Sequence, residues 1–507
     1  MKLQLDRREA TVGSVDASVS GVFERSDKDE ALPRNLAKEE QAAGGLLAPA
    51  WTRRELTGKR KELTVVHRPD GKGRVILIGL GGASSVDADT VRRAAAEAVR
   101  SLKGKGVRTV GFRLPSFVSE RVTSEAAVRA LADGAMLGGY EFMKYKSTRD
   151  SRVEEATIFL GDGFTREEAA LKKALEQELT LLDCVLWTRD IANVPADTAT
   201  PAWLAEEAKR MGKEVGIKVT VFDEEKLAEM KCGGILGVGG GSIHPPRMIV
   251  LEYAGGARSG KTVAVVGKGI TFDSGGISLK PALHMGDMKF DKSGACAVMG
   301  IMRAAALLKA PPKVVGVMAC AENLPGPSAY RPGDVVRSYN GKTIEILNTD
   351  AEGRVVLSDA LGYVVDKHHP DEVIDLATLT GACVVALGDD TAAVVSTDDR
   401  LARGLLDASA ATGEPLWRLP LTDYHRELVK SDLADVRNST EIPPAGVLTA
   451  SAFLETFVGK TPWAHLDIAG PAYTNATTRK YQPAYQNPGA TAFGVRLVTR
   501  YLLDAGR

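Results

Sequence analysis

The chain has 507 residues, 44% of them hydrophobic and 26% charged, with 65 Lys and Arg balanced by 65 Asp and Glu. Those proportions exclude a disordered or fibrous chain and, at about 100–200 residues per domain, predict two or three domains or one large one with additions. A net charge of zero gives no global attraction to nucleic acid or anionic membrane, so neither DNA nor a lipid surface is an expected partner.

The first eighteen residues lack the apolar core of a signal peptide, and no apolar run approaches the ~20 residues of a membrane span. Cys184, Cys232, Cys296, Cys320 and Cys383 are scattered and form no CxxC, which reads as buried thiols in a reducing cytoplasm. With seven His and no HExxH, any catalytic metal must be held mostly by carboxylates.

Residues 63–66 and 74–79 read as a hairpin with Asp70-Gly71 in its turn. An Ala-rich helix follows over 87–102, a strand over 108–113, a helical stretch over 124–144 and a strand over 155–160. Leu171, Leu175, Leu179 and Leu182 recur at spacings of three and four, predicting a long helix over 165–189 that Asn193-Val194-Pro195 closes. The expected organisation is a smaller N-terminal α/β domain over 1–170, a connecting helix over 171–195 and a larger domain over 196–507.

In the larger domain, helices are predicted over 201–211, 295–308, 353–365 and 490–503. Strands are predicted over 218–222, 247–253, 314–320, 343–347 and 372–377, with an apolar run over 262–266 entering a Gly-rich loop. The helix at 295–308 carries a single charge and must be buried on nearly all sides. Alternating apolar strands and helices predict an α/β fold with a mixed, mostly parallel sheet covered on both faces. Residues 471–489, with three Thr, three Pro, two Asn and a closing Gly489, read as a long loop of the kind that carries function.

Two Gly-rich strings, Gly79-Leu80-Gly81-Gly82 and Gly237 to Gly241, lack the spacing of a nucleotide fingerprint and read as turn glycines. Lys268, Asp273 and Lys280 fall in a Gly-rich loop after a buried strand, where open α/β sheets gather active residues. Asp291 stands just before the buried helix, a costly place for a charge unless it is paired or metal-bound. Asp350 and Glu352, two apart in an extended stretch, can face one site. Singly, these residues have plainer readings: Thr349 and Glu352 match a capping box, Asp291 a helix N-cap, and the lysines surface charges. Together they place four carboxylates and two lysines at strand-to-helix junctions, enough for two divalent ions of the Mg²⁺, Mn²⁺ or Zn²⁺ kind.

The string Asn348-Thr349-Asp350-Ala351-Glu352-Gly353-Arg354 resembles the signature of the leucyl (cytosol) aminopeptidases, a family of two-metal peptidases. Residues 193–197, 375–382, 431–435, 463–470 and 489–496 resemble that family's motifs in the same order. The resemblance implies a metal-dependent aminopeptidase whose catalytic metallopeptidase domain is the 196–507 segment. On that resemblance the chain is expected to release N-terminal residues, with a leucine-like preference, from peptides with a free N-terminus through a two-metal-activated hydroxide. It implies that Lys268, Asp273, Asp291 and Glu352 hold the tighter ion and Asp273, Asp350 and Glu352 the more exchangeable one, with Mn²⁺ or Zn²⁺ foremost and Mg²⁺ also suited. It further implies that Lys280 donates to the scissile carbonyl, that Arg354 holds a bicarbonate as general base, and that six chains assemble as a cytoplasmic hexamer. Departures stand at Lys292-Ser293, Pro325-Gly326-Pro327 and Pro444-Ala445-Gly446, none at a proposed ligand. A phosphatase-like two-metal hydrolase would bring more His, and a non-catalytic DNA-binding relative would tolerate a lost ligand.

Overall fold

The computed structural model describes residues 1–8, 14–26, 31–148, 150–164, 166–256, 260–440, 445–475 and 477–505; Pro444 lies outside them. The chain forms two compact units, Met1–Asp183 with Tyr481–Asn487, and Cys184–Lys480 with Pro488–Arg507. Among the described residues no helix is long and apolar enough to cross a membrane.

The first unit is a six-stranded sheet of β1 (Lys2–Asp6), β2 (Ala17–Phe23), β3 (Leu63–His67), β4 (Arg74–Gly81), β5 (Thr109–Arg113) and β6 (Glu155–Phe159), in the order β1-β6-β5-β2-β4-β3. All pairs are parallel except the β3–β4 hairpin, in which Leu63 faces Ile78 as the Asp-Gly turn predicts. Gly79 and Gly81 lie within β4 rather than in a turn. A Cβ on Gly79 would fall 1.9 Å from the Lys59 carbonyl, so close backbone approach requires that glycine.

Helix α1 (Ala88–Ser101) starts at Asp87, whose carboxylate accepts the Thr90 N–H, and α2 (Ser124–Gly138) starts at Thr123. α2 ends six residues before its predicted limit, at the Gly138-Gly139 pair, whose helix propensity is low. A Cβ on Gly134 would sit 2.2 Å from the Arg92 carbonyl, which lets α1 and α2 pack backbone to backbone. Buried Arg92 donates to Asp133 at 2.7 Å and to Asp89 at 2.8 Å, and Tyr485 donates to Asp89 at 2.9 Å. The long helix α3 (Glu168–Ala192) follows, ending three residues beyond its predicted limit and short of Pro195.

The main sheet of the second unit has eight strands: β7 (Lys218–Phe222), β8 (Arg247–Tyr253), β9 (Thr262–Asp273), β10 (Lys313–Asn323), β11 (Glu372–Ala377), β12 (Ala392–Ser396), β13 (Leu416–Arg418) and β14 (Trp463–Asp467). Their order is β13-β12-β14-β11-β9-β10-β8-β7, with a parallel centre and antiparallel pairs at β7–β8, β8–β10 and β12–β14. This is the expected mixed α/β sheet. The helices that bear on the site are α4 (Ser293–Leu307), α5 (Glu352–His368) and α6 (Val495–Asp504).

β9 corrects the expected loop. It runs twelve residues to Asp273, so Lys268 and Asp273 are strand residues and only Lys280 is in the loop. The glycines that suggested a loop instead admit a helix. A Cβ on Gly267 would meet the Gly294 carbonyl at 2.6 Å, and one on Gly294 would meet the Leu376 carbonyl at 2.1 Å. The start of α4 is thereby wedged against β9 and β11, and its residues 293–305 are all buried, as its composition predicts. On the other face Ala264, Val266 and Ile270 of β9 pack with Val355, Val356 and Leu357 of α5. Lys268 shares the parity of those core residues and points to the α5 side. α6 begins five residues later than predicted, because Ala492 and Gly494 both take positive φ. Gly237 is helical, within Gly233–Gly239, rather than a turn residue.

Candidate metal centre

The carboxyl ends of β9, β10, β11 and β14 converge, and every sequence-predicted residue except Arg354 meets there in one ion-pair cluster. Lys268 Nζ lies 2.7 Å from Asp291 Oδ2 and 2.8 Å from Glu352 Oε1, and donates to the Thr378 carbonyl at 2.9 Å. Lys280 Nζ lies 2.8 Å from Asp273 Oδ2 and 2.5 Å from Asp350 Oδ1. Asp273, Asp350 and Glu352 offer oxygens that all lie within 4.8 Å of one another. Gly353 makes room for this packing, since a Cβ there would fall 2.6 Å from Lys268 Cε.

The plainer readings of single residues do not hold. The N-cap of α5 is Ala351, with no side-chain cap, so Thr349 and Glu352 form no capping box. Thr349 instead donates to the Gly275 carbonyl at 2.7 Å and accepts the Ser278 N–H at 2.7 Å. The N-cap of α4 is Lys292 rather than Asp291, and it has no side-chain cap bond. Asp350 and Glu352 do converge, but through a turn followed by the first residue of a helix rather than along an extended stretch.

Burial pushes the Glu352 carboxyl up to about 8, helped by Asp273 and Asp291 against the pull of Lys268. Burial also raises Asp291 and Asp350. For Lys268 and Lys280 burial acts downward, but the facing carboxylates outweigh it and hold both ammoniums charged. Four carboxylates thus face two ammoniums, and Glu352 Oε2 is buried with no hydrogen-bond partner. An excess of hard oxygen donors with one orphaned oxygen is the chemistry that fits divalent cations.

Arg354 is the third residue of α5 and donates from Nη1 to the Asn438 carbonyl at 2.8 Å. Its Nε is buried without a partner, and burial lowers the guanidinium to about 10. It is a fixed cation with a free donor.

Sequence reasoning missed the groups that brace the cluster. Asn323, the last residue of β10, donates to Asp273 Oδ1 at 2.8 Å and to the Thr349 carbonyl at 3.0 Å. Tyr330 donates to the same carbonyl at 3.0 Å. Asn438 splints the segment before Asp350, accepting the Leu347 N–H at 2.8 Å and donating to the Asn348 carbonyl at 2.7 Å. Thr378 donates to Asp291 Oδ1 at 2.6 Å. Below it, Asp375 takes 2.6 Å hydrogen bonds from Trp463 Nε1 and His465 Nδ1, tying β11 to β14. A polar residue ending an apolar strand, as Asn323 does, is the one local signal available. Lys292, a departure noted in the sequence, is buried and donates to the Val194 carbonyl at 2.9 Å, and burial lowers its ammonium to about 8.

Known proteins resemble the chain over most of its length. Residues 186–499 match the catalytic domain of the cytosol aminopeptidase family, and residues 19–149 match that family's N-terminal domain. A probable cytosol aminopeptidase of Roseiflexus castenholzii is 42% identical over 497 residues, covering 97% of this chain and 96% of that one. One from Geobacter sulfurreducens is 42% identical over 504 residues, covering 99% of each. Among solved structures, the bottromycin maturation enzyme BotP in complex with Mn aligns with a TM-score of 0.84 at 34% identity, covering 97% of this chain and 100% of that one. A variant of tomato leucine aminopeptidase aligns with a TM-score of 0.87 at 31% identity, covering 99% and 96%.

Proposed function

The chain belongs to the cytosol aminopeptidase family and is a metal-dependent aminopeptidase, and from that premise we propose how it works and on what. It releases leucine-like N-terminal residues from peptides. Lys268, Asp273, Asp291 and Glu352 hold one divalent ion, and Asp273, Asp350 and Glu352 hold a second. Mn²⁺ or Zn²⁺ suits these ligands best, and Mg²⁺ is also suited. The observation that carries this reading is the convergence of four carboxylates on two lysines with a buried, unpartnered Glu352 oxygen.

When bound, the ions lower the pKa of a water and polarise the scissile carbonyl, and a bicarbonate supplies a general base. The chain's own residues do the rest. Lys280 is kept charged by Asp273 and Asp350 and donates to the carbonyl oxygen as negative charge develops there. Arg354, buried with a free Nε, holds the bicarbonate. Asp291, fixed by Thr378, accepts from the substrate's uncharged α-amine and so restricts cleavage to a free N-terminus.

Leucinamide and N-acetyl-leucinamide test this, each with Mn²⁺ and with EDTA. The free amine is expected to be cleaved only with metal, and the acetylated one to be disfavoured by ~10⁴ or more. Comparable kcat/KM values would refute the amine-reading site while leaving the metal centre intact. Family membership supports a homohexamer with its active sites facing an interior cavity, and five buried thiols fit a reducing cytoplasm. Light scattering is expected to give the mass of about six chains, and a monomer would overturn that assembly.

A further inference from the structure

Thr378 is the first residue after β11, and the turn it opens is clamped from below. Asp467, the buried last residue of β14, accepts the Leu379 N–H at 3.2 Å and the Thr380 N–H at 3.4 Å on Oδ1. Its Oδ2 accepts the Thr380 hydroxyl at 2.7 Å. Thr380 Oγ1 in turn caps the helix Gly381–Leu387 by accepting the Cys383 N–H at 3.1 Å. Strand, turn and helix are locked together, and Thr378 presents two groups from this fixed base. Its carbonyl takes a hydrogen bond from Lys268 Nζ at 2.9 Å, and its hydroxyl donates to Asp291 Oδ1 at 2.6 Å.

We infer that Thr378 is a positioning residue for the tighter metal site, aiming the Lys268 amine with its carbonyl and the Asp291 carboxylate with its hydroxyl. The inference rests on the two-ion reading above. An amine that ligates a cation has one lone pair and two N–H donors, and the lone pair is aimed only if an N–H is held elsewhere. Of the three groups around Lys268 Nζ, Asp291 and Glu352 are themselves candidate ligands, and the Thr378 carbonyl is the one that is not. On Asp291 the hydroxyl occupies Oδ1, which turns Oδ2 toward Lys268 and the centre of the cluster. One residue thereby orients two ligands from different elements, the part that outer-shell groups play around metals.

The test compares Thr378→Val, which keeps the shape and loses the hydroxyl, with Thr378→Ala and Thr378→Ser, all in the full chain stripped with EDTA. Mn²⁺ is titrated by calorimetry, and unfolding in EDTA establishes that each variant is folded. Val and Ala are expected to weaken the tighter site by ~10–100-fold, and Ser to restore it. At saturating Mn²⁺ the folded variants are expected to recover most of their kcat, a split that a merely structural defect would not produce. Wild type that binds two ions alongside Val and Ala variants that bind as tightly overturns this inference alone. Wild type that binds no Mn²⁺ overturns the two-ion reading and this inference with it.

Discussion

Glu352→Gln separates ligation from local structure. Glu352 is the first residue of α5, 1% exposed, with Oε1 2.8 Å from Lys268 Nζ and Oε2 unpartnered. Its carboxyl sits at about 8 in the folded chain against 4.5 for the ordinary group. The folded state therefore binds a proton that the unfolded state has released. Stability linked to that proton is complete below the unfolded value and falls as pH rises through the folded one. At about 1.4 kcal/mol per pH unit, the ion-free wild type loses on the order of a few kcal/mol by neutral pH. Glutamine copies the neutral acid and carries no such loss. In EDTA the variant is expected to unfold at or above the wild-type temperature, with a gap that widens from about pH 5 to about pH 8. With Mn²⁺ at about 100 times its Kd, wild type gains ~2.7 kcal/mol and the variant little. Turnover of leucine p-nitroanilide is expected to disappear. A residue that only started a helix would lose about 1 kcal/mol at every pH and keep its activity. Thermal unfolding across pH, with and without Mn²⁺, distinguishes the two. A variant that keeps both the Mn²⁺ gain and near-wild-type turnover refutes the ligand role.

Lys280→Ala is expected to lower kcat by ~10²–10³-fold with metal content unchanged, because the ammonium acts on the developing oxyanion. An unchanged kcat with a raised KM would mean that Lys280 only binds substrate. Gly294→Ala puts a Cβ 2.1 Å from the Leu376 carbonyl and must push α4 off the sheet. A loss of ~1–3 kcal/mol is expected, with reduced Mn²⁺ affinity because Asp291 moves with the helix. An unshifted Tm would show that the wedge is not tight.

Much of the frame was legible because it is written locally. Strands 218–222, 247–253 and 372–377 are apolar runs bounded by polar residues, and their limits match those predicted. The site residues stood out as charges at the ends of such runs. The bracing was not legible, because its partners are far apart in the chain. Asp467 reaches Thr380 across 87 residues and Asn438 reaches Asn348 across 90, with no periodicity to announce either contact. The glycines around Lys268 misled for a related reason. A glycine that admits a helix and a glycine that makes a turn are identical in sequence, and only the backbone packed against them tells the two apart.

The same packing bears on why lysines stand in a metal centre at all. Four carboxylates gathered at the end of β9 and at the starts of α4 and α5 repel one another, and burial raises the cost. In the ion-free chain Lys268 and Lys280 supply the counter-charge, each against two of those carboxylates. The cluster can therefore form with the fold, before any cation is bound. Lys268 is 3% exposed and confined by Gly353 and the Thr378 carbonyl, so it stays beside its carboxylates when the charge balance changes and can serve only by giving up its proton there. Lys280, at 22% exposed on the loop, can swing toward substrate while it stays charged. The difference in confinement assigns the two lysines to different tasks: the one in the strand to the ion, the one in the loop to the substrate.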